Sequence, residues 1–272
     1  MSALRVRVGS GPILIHSDLR EAVSIGRSLG LNIRRDNLVE GLLEALEHVL
    51  GTSRESMIFP AFNYDFGTTR VFDVENDPVQ AGALPELLRH TSYFRRTPVP
   101  FFSVLKKEAP NFVASKEIDP FGEESVFAEL AKNDGSIFFF GADIGKMTFI
   151  HHIESSQAGG PLYRYDKIFY GEVLNANQSK ACSVRMHVRP RGLSMSYDWP
   201  KIATDLFLFK AAFRHDSFRN VLLVNPRDAM RCLLQRINQD PLYLLDSCSR
   251  SNFLSRESSS IRFNLRDFES GD

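Results

Sequence analysis

Residues 37–50, NLVEGLLEALEHVL, stand between two short apolar runs, PILIH at 12–16 and SMIFPAF at 56–62. In the middle stretch Leu38, Val39, Leu42, Leu43, Leu46, Val49 and Leu50 follow the i, i+3, i+4 spacing that lays one apolar stripe along a helix. Asn37 suits the N-cap and Gly51 the C-terminal stop. The flanking runs have the length and composition of buried strands, and the first closes at the polar turn Ser17-Asp18. Strand, helix, strand is the grammar of an α/β domain.

The alternation continues along the chain. Residues 82–91 read as a helix introduced by the turn-rich Asn76-Asp77-Pro78, 101–105 as a strand, and the stretch to Pro120 as a loop. Residues 125–132 form an amphipathic helix and 136–141, SIFFFG, a strongly apolar strand. From Lys167 the pattern shifts to more exposed strands, KIFYGEVL and KACSVRMHVRP, before helices over 204–213 and 226–238. No internal repeat is present. The expected architecture is a single α/β domain over residues 1–246, a central mixed β-sheet flanked by helices. Residues 247–272 are a Ser- and Arg-rich tail, expected to be mobile or draped on the surface.

Composition narrows the function. Of 272 residues, 33 are Lys or Arg and 33 Asp or Glu, so the formal net charge is zero. That excludes the basic footprint of a general nucleic-acid binder and the acidic character of a disordered chain. Hydrophobic residues make up 43% and charged residues 24%, a globular balance, and 22 Phe against one Trp point to a bulky interior. The N-terminus has no signal-peptide pattern, and no run approaches the roughly 18 apolar residues of a membrane span. Three cysteines without CxxC spacing suggest neither a disulfide framework nor a zinc site. The expectation is a cytoplasmic protein with no membrane insertion and no metal; whether it forms a homo-oligomer is left open.

The chemistry concentrates in residues 141–165, GADIGKMTFIHHIESSQAGGPLYRY. A buried strand ends at Gly141, and in α/β sheets ligands gather beyond the strand C-termini. His151 and Glu154 stand three apart, hence on one face of a helix. A carboxylate on one imidazole nitrogen leaves the other free to accept a proton, so the pair is either a general base or a helix-start cap. Residues 16–20, His16 to Arg20, follow the first strand and are either an anion-binding loop or an ordinary polar turn. The loop 65–78 gathers Asp65, Asp73, Glu75 and Asp77 beside Tyr64 and Phe72, suited to hold an amine cation or merely to face water.

Taken in order, these segments resemble the aminoglycoside 3-N-acetyltransferase family, acyl-CoA-dependent enzymes unrelated to the GNAT fold. IHSDLR is similar to the family's post-strand motif, and FPAFNYDF to its next apolar segment. FDVENDPVQAGALPELLR matches at Phe72, Asp73, Pro78, Gly82, Leu84, Glu86 and Arg89, and FGEESVFAEL matches a further motif. The strongest likeness is MTFIHHIESSQAGGPLYRYDKIF. The chain departs from the family where Val99 replaces a His and where Asp18 and Val79 replace Ser.

The resemblance implies an N-acyltransferase using acetyl-CoA or another acyl-CoA as co-substrate, with His151 as general base and Glu154 orienting it. His16, Ser17, Asp18, Leu19, Arg20, Ser103 and Val104 are the implied cofactor-binding residues. Tyr64, Asp65, Asp73, Glu75, Asp77 and His152 are assigned to the amine acceptor, and Thr148 or the Ser17–Leu19 backbone to the thioester carbonyl. No cysteine falls on a family motif position, which implies direct transfer in a ternary complex. The neutral charge and N-terminal basic residues favour a nucleotide-linked amino sugar of surface-polysaccharide synthesis over an aminoglycoside antibiotic. A non-catalytic CoA-binding protein and a purely structural protein remain as alternatives.

Overall fold

In the computed structural model, which describes residues 8–113, 117–190 and 193–258, the opening strand–helix pattern is realised with one more helix than the periodicity alone predicted. Strand β1 (Ile13–Ser17) runs into α1 (Leu19–Ser28), then α2 (Leu38–Leu50) and β2 (Met57–Pro60). A short helix α3 (Phe66–Thr69), β3 (Val71–Asp73), α4 (Ala83–Arg89), β4 (Arg95–Arg96), β5 (Val104–Lys106) and β6 (Glu117–Ile118) follow. Next come α5 (Val126–Lys132), β7 (Ser136–Phe140), α6 (Ile150–Ser155) and the long strands β8 (Tyr165–Asn175) and β9 (Gln178–Val188). The described chain closes with α7 (Trp199–Leu208), β10 (Ala212–Arg214), β11 (Val221–Val224), α8 (Pro226–Gln239) and α9 (Ser247–Ser258).

The central sheet is mixed, with strand order β10-β11-β7-β1-β2-β5-β4. β1 lies parallel to both β2 and β7, and the outer pairs are antiparallel. Because side chains alternate between faces, Leu14, Ile137 and Phe139 enter one core while Ile13, Ile15, Phe138 and Phe140 enter the other. Both faces are covered by helices, which is why these strands read as unbroken apolar runs. A second sheet, β3-β8-β9-β6, is built around the β8–β9 hairpin and packs Phe66, Phe72, Phe101, Val173 and Val184 beneath it. Val99, at the position of the family's His, is packed against this cluster.

Three expectations need correcting. Phe101 adopts a left-handed backbone with φ of 65°, so the strand expected from 101 begins at Val104. The helix expected over 204–213 lies earlier: Asp198 caps α7 by accepting from Lys201 N, with Pro200 in the first turn. After a left-handed Lys210, Ala212–Arg214 pairs with β11 instead of extending the helix. Beyond residue 246 the chain forms α9, whose Phe253 is buried with Tyr163, Leu193, Met195, Leu242 and Leu245. The remainder of the tail, 259–272, lies outside the described residues.

Candidate active site

The parallel strands β1, β2 and β7 point their C-terminal ends at one large cavity of about 1630 Å³. His16 and Ser17 come from the end of β1, Gly141 and Ala142 from beyond β7, and Pro60 and Phe62 from β2 and its exit. Arg20, Arg27 and Lys146 also line it, as do Asp18, Glu21 and Asp143. Gly141 has φ of +80°, and a Cβ there would stand 2.4 Å from Glu21 Cβ, so only glycine lets the β7 exit pass this close to α1. The imidazole of His16 stacks on Phe139 and is 95% buried, since only 5% of the residue is exposed. Burial lowers its pKa to about 3, which keeps the ring neutral. His16 Nε2 and Ser17 Oγ are both buried without a protein hydrogen-bond partner.

A second cavity, about 540 Å³, adjoins the first, and Tyr64 and Thr148 line both. His151 lines the second, 27% of its side chain remaining accessible. Its Nδ1 lies 2.9 Å from Glu154 Oε2. A carboxylate only accepts, so Nδ1 carries the hydrogen and Nε2 the lone pair. Phe121 meets the ring edge-on at a centroid distance of 5.2 Å. Burial lowers the His151 pKa and outweighs the opposing hydrogen bond and charge of Glu154. At neutral pH the imidazole is therefore an unprotonated base.

Glu154 is itself almost fully buried, with 1% exposure. Its Oε1 accepts from the hydroxyls of Tyr163 and Tyr197, each at 2.7 Å. Oε2 accepts from His151 and stands 3.1 Å from Arg164 Nε, an ion contact off the hydrogen-bond line. Arg164 Nη2 in turn donates to Tyr197 Oη at 2.6 Å. Desolvation alone would raise the Glu154 carboxyl, but the Arg164 charge and the His151 and Tyr197 hydrogen bonds hold it at about 2. The carboxylate is saturated with donors, which fixes the His151 ring and its tautomer.

The family profile described as aminoglycoside 3-N-acetyltransferase matches residues 14–216, most of the chain and all of this site's strand and helix framework. The chain belongs to the aminoglycoside 3-N-acetyltransferase family. No curated protein sequence gives a match. Among solved structures, aminoglycoside acetyltransferase AAC(3)-Xa is 19% identical with a TM-score of 0.64, over 89% of this chain and 90% of that one. AAC-IIIb in a binary complex with CoASH is 17% identical with a TM-score of 0.65, over 87% and 93%. The YokD protein from Bacillus subtilis is 14% identical with a TM-score of 0.59, over 86% and 89%. At these identities the likeness establishes a shared fold, the mixed α/β acetyltransferase architecture described above.

Several residues expected to contact ligands are engaged in contacts within the protein. His152 is buried, and its Nδ1 donates to Phe121 O at 2.6 Å, away from both cavities. Ser103 is inaccessible to solvent; its hydroxyl donates to Ala61 O and accepts from Arg96 Nε, so it props the β2 exit rather than touching a ligand. Val104 is buried in β5. The Asp18 carboxylate caps α1 by accepting from Glu21 N, and Asp18 N donates to Phe140 O. Asp65, Asp73, Glu75 and Asp77 line neither cavity. Asp65 accepts from Asn63 and Gln80, Asp73 from Asn76, and Asp77 from the Asp73 N–H, so the acidic loop is tied to its own turn.

Sequence reasoning assigned no role to Tyr163, Arg164 or Tyr197. The first two lie inside the quoted motif, directly before a strand, where a tyrosine beside an arginine was a signal. Tyr197 lies in an irregular segment and gave none.

Proposed function

We propose that the protein is an N-acyltransferase that transfers the acyl group of acetyl-CoA, or another acyl-CoA, directly to the primary amine of an amino sugar. The observation that carries this is the His151–Glu154 pair, which opens into the smaller cavity beside Thr148, where that cavity meets the larger one.

The larger cavity suits the acyl donor. Its partnerless Ser17 Oγ offers a donor, and the first-turn N–H groups of α1 have no acceptor within their own helix. Arg20, Arg27 and Lys146 supply cations for phosphates. The smaller cavity takes the amine. An ammonium has no lone pair for attack, so the acceptor reacts as its neutral amine. His151 Nε2 takes the proton that this nitrogen sheds as the C–N bond forms and the thioester C–S bond breaks. Glu154 stabilises the resulting imidazolium, and the proton then leaves for the departing thiolate or for water. General-base help of this kind is worth roughly 10²–10⁴-fold. Thr148, which lines both cavities, is assigned to the thioester carbonyl. Among the described residues no cysteine lines either cavity, which supports direct transfer over an acyl-enzyme.

The acceptor class that the sequence favours is a nucleotide-linked amino sugar. The description of the family supports an aminoglycoside acceptor as the alternative. A fully built proton-abstracting pair argues against a non-catalytic CoA-binding role. Thiol release from acetyl-CoA with a panel of nucleotide amino sugars and aminoglycosides, read with product mass, tests the proposal. Wild-type release that disappears in His151→Ala with CoA affinity unchanged is the expected result; full turnover by the variant would overturn it.

A further inference from the structure

Among the described residues that line the smaller cavity, none is an aspartate or glutamate. The Glu154 carboxylate is buried, does not line the cavity, and is already engaged by three hydrogen-bond donors and the Arg164 charge. Cations are present instead. Arg164 is matched by Glu154, but Arg189 is exposed at the cavity and bonds, among the described residues, only to Met195 O at 3.0 Å. The Arg189 charge is felt at His151, where it helps to lower the imidazole pKa. A polyammonium acceptor would enter against this charge with no carboxylate to receive it.

The end of β9 is built as a fixed wall. His187 lines the cavity and pairs across the strands with Asp166, its Nδ1 2.6 Å from Asp166 Oδ1. Asp166 does not line the cavity, and its contact at Nδ1 fixes the ring. On the other side Gly160, with φ of +72°, lies so close that a Cβ would stand 2.9 Å from His187 Cε1. The ring is held between a carboxylate and a backbone that tolerates no side chain. Tyr197 and Trp199, edge-to-face at 5.6 Å, give the same cavity an aromatic side.

Resting on the acyltransferase reading above, we infer that Arg189 and His187 form an anion subsite of the acceptor cavity, and that the acceptor is an amino sugar bearing a phosphate ester. A guanidinium offers paired donors that match phosphate oxygens. An imidazole fixed at Nδ1 presents Nε2 to the same group when protonated. The shared chemistry is a phosphate on the amine-bearing molecule; it can belong to a sugar phosphate or to a nucleoside diphosphate.

The test is calorimetric binding to CoA-saturated protein, so that the larger cavity is filled, with UDP-glucosamine, glucosamine 1-phosphate, glucosamine and kanamycin as probes. At least tenfold tighter binding of the two phosphorylated probes is expected, lost in Arg189→Glu and reduced in Arg189→Gln and His187→Gln. Preference for UDP-glucosamine over glucosamine 1-phosphate would assign the phosphate to a nucleotide, and the reverse to a sugar phosphate. Equal binding of phosphorylated and unphosphorylated sugars, no binding of any probe, or tightest binding of kanamycin overturns the subsite. Thiol release from acetyl-CoA is read in parallel on the same protein preparations without added CoA. Selective binding without release removes the acyltransferase proposal and keeps the subsite, whereas release without phosphate preference does the opposite.

Discussion

His151 and His152 are neighbours on one short helix and have opposite surroundings. One ring lines a cavity with its Nδ1 on a buried carboxylate; the other is buried with its Nδ1 on the Phe121 carbonyl. Burial lowers the pKa of both. The difference lies in what remains for chemistry. His151 keeps an open Nε2 backed by a charge that can stabilise an imidazolium, whereas His152 has only a backbone dipole and no access to either cavity. Successive residues on a helix point about 100° apart, so one step in sequence separates a cavity-lining ring from a buried strut.

The largest break in this comparison is His151→Ala. Turnover is expected to fall roughly 10²–10⁴-fold with little change in melting temperature, measured by thiol release and thermal unfolding. A comparable loss from His152→Ala at unchanged melting temperature would reverse the two assignments.

Glu154→Gln removes the charge that distinguishes the pair. It leaves Arg164 buried and unmatched, a kind of change that costs about 3–5 kcal/mol. The pH dependence carries a second signature. His151 must be neutral to act and its pKa is lowered, so wild-type kcat/KM should rise with pH along an acid limb centred below 6.5. Glu154 raises the His151 pKa, so the limb in Glu154→Gln moves to lower pH still. Stability follows the carboxylate: its pKa falls from 4.5 to about 2 on folding, so its contribution is complete above 4.5 and fades as pH drops towards 2. Acid unfolding of the wild type and the variant measures this; a wild-type curve flat across that window would contradict the saturated carboxylate.

His152→Ala strips the Phe121 carbonyl of a buried donor and should cost about 1–3 kcal/mol by denaturant unfolding, while kcat per folded molecule holds. The smallest effect is expected at the other cavity. Asp18→Ala removes the α1 cap and should cost about 1 kcal/mol. Acetyl-CoA KM should change little, because that carboxylate is already engaged with Glu21 N.

The main strands and helices of the first 141 residues were legible because each carries its own period and punctuation, whereas α1, α3 and the short strands β3, β4 and β6 were not. The helix from Leu38 shows its apolar stripe, and the runs around Leu14, Ile58 and Phe138 show two-sided burial. His151 and Glu154 were legible for a related reason: a helical spacing of three is a local fact. The acidic loop misled because its grouping in sequence is equally local, and those carboxylates hold their own turn instead of a ligand. Ser103 misled in another way, since a buried hydroxyl satisfied by Ala61 and Arg96 looks in sequence like any motif serine.

The sequence by itself determined the α/β alternation, the family and the spacing that sets His151 beside Glu154, all of which rest on short-range periodicity or on a contiguous motif. Only the tertiary structure decided what surrounds that pair. Tyr197 reaches Glu154 across 43 positions of chain, and the cationic wall at Arg189 is set beside His151 by the β8–β9 hairpin and the segment that follows it. Such contacts depend on how separate elements pack, and no local pattern records that packing. A chain with zero net charge thus lines its smaller cavity with Arg164 and Arg189 and, among the described residues, with no carboxylate, an arrangement that composition alone conceals.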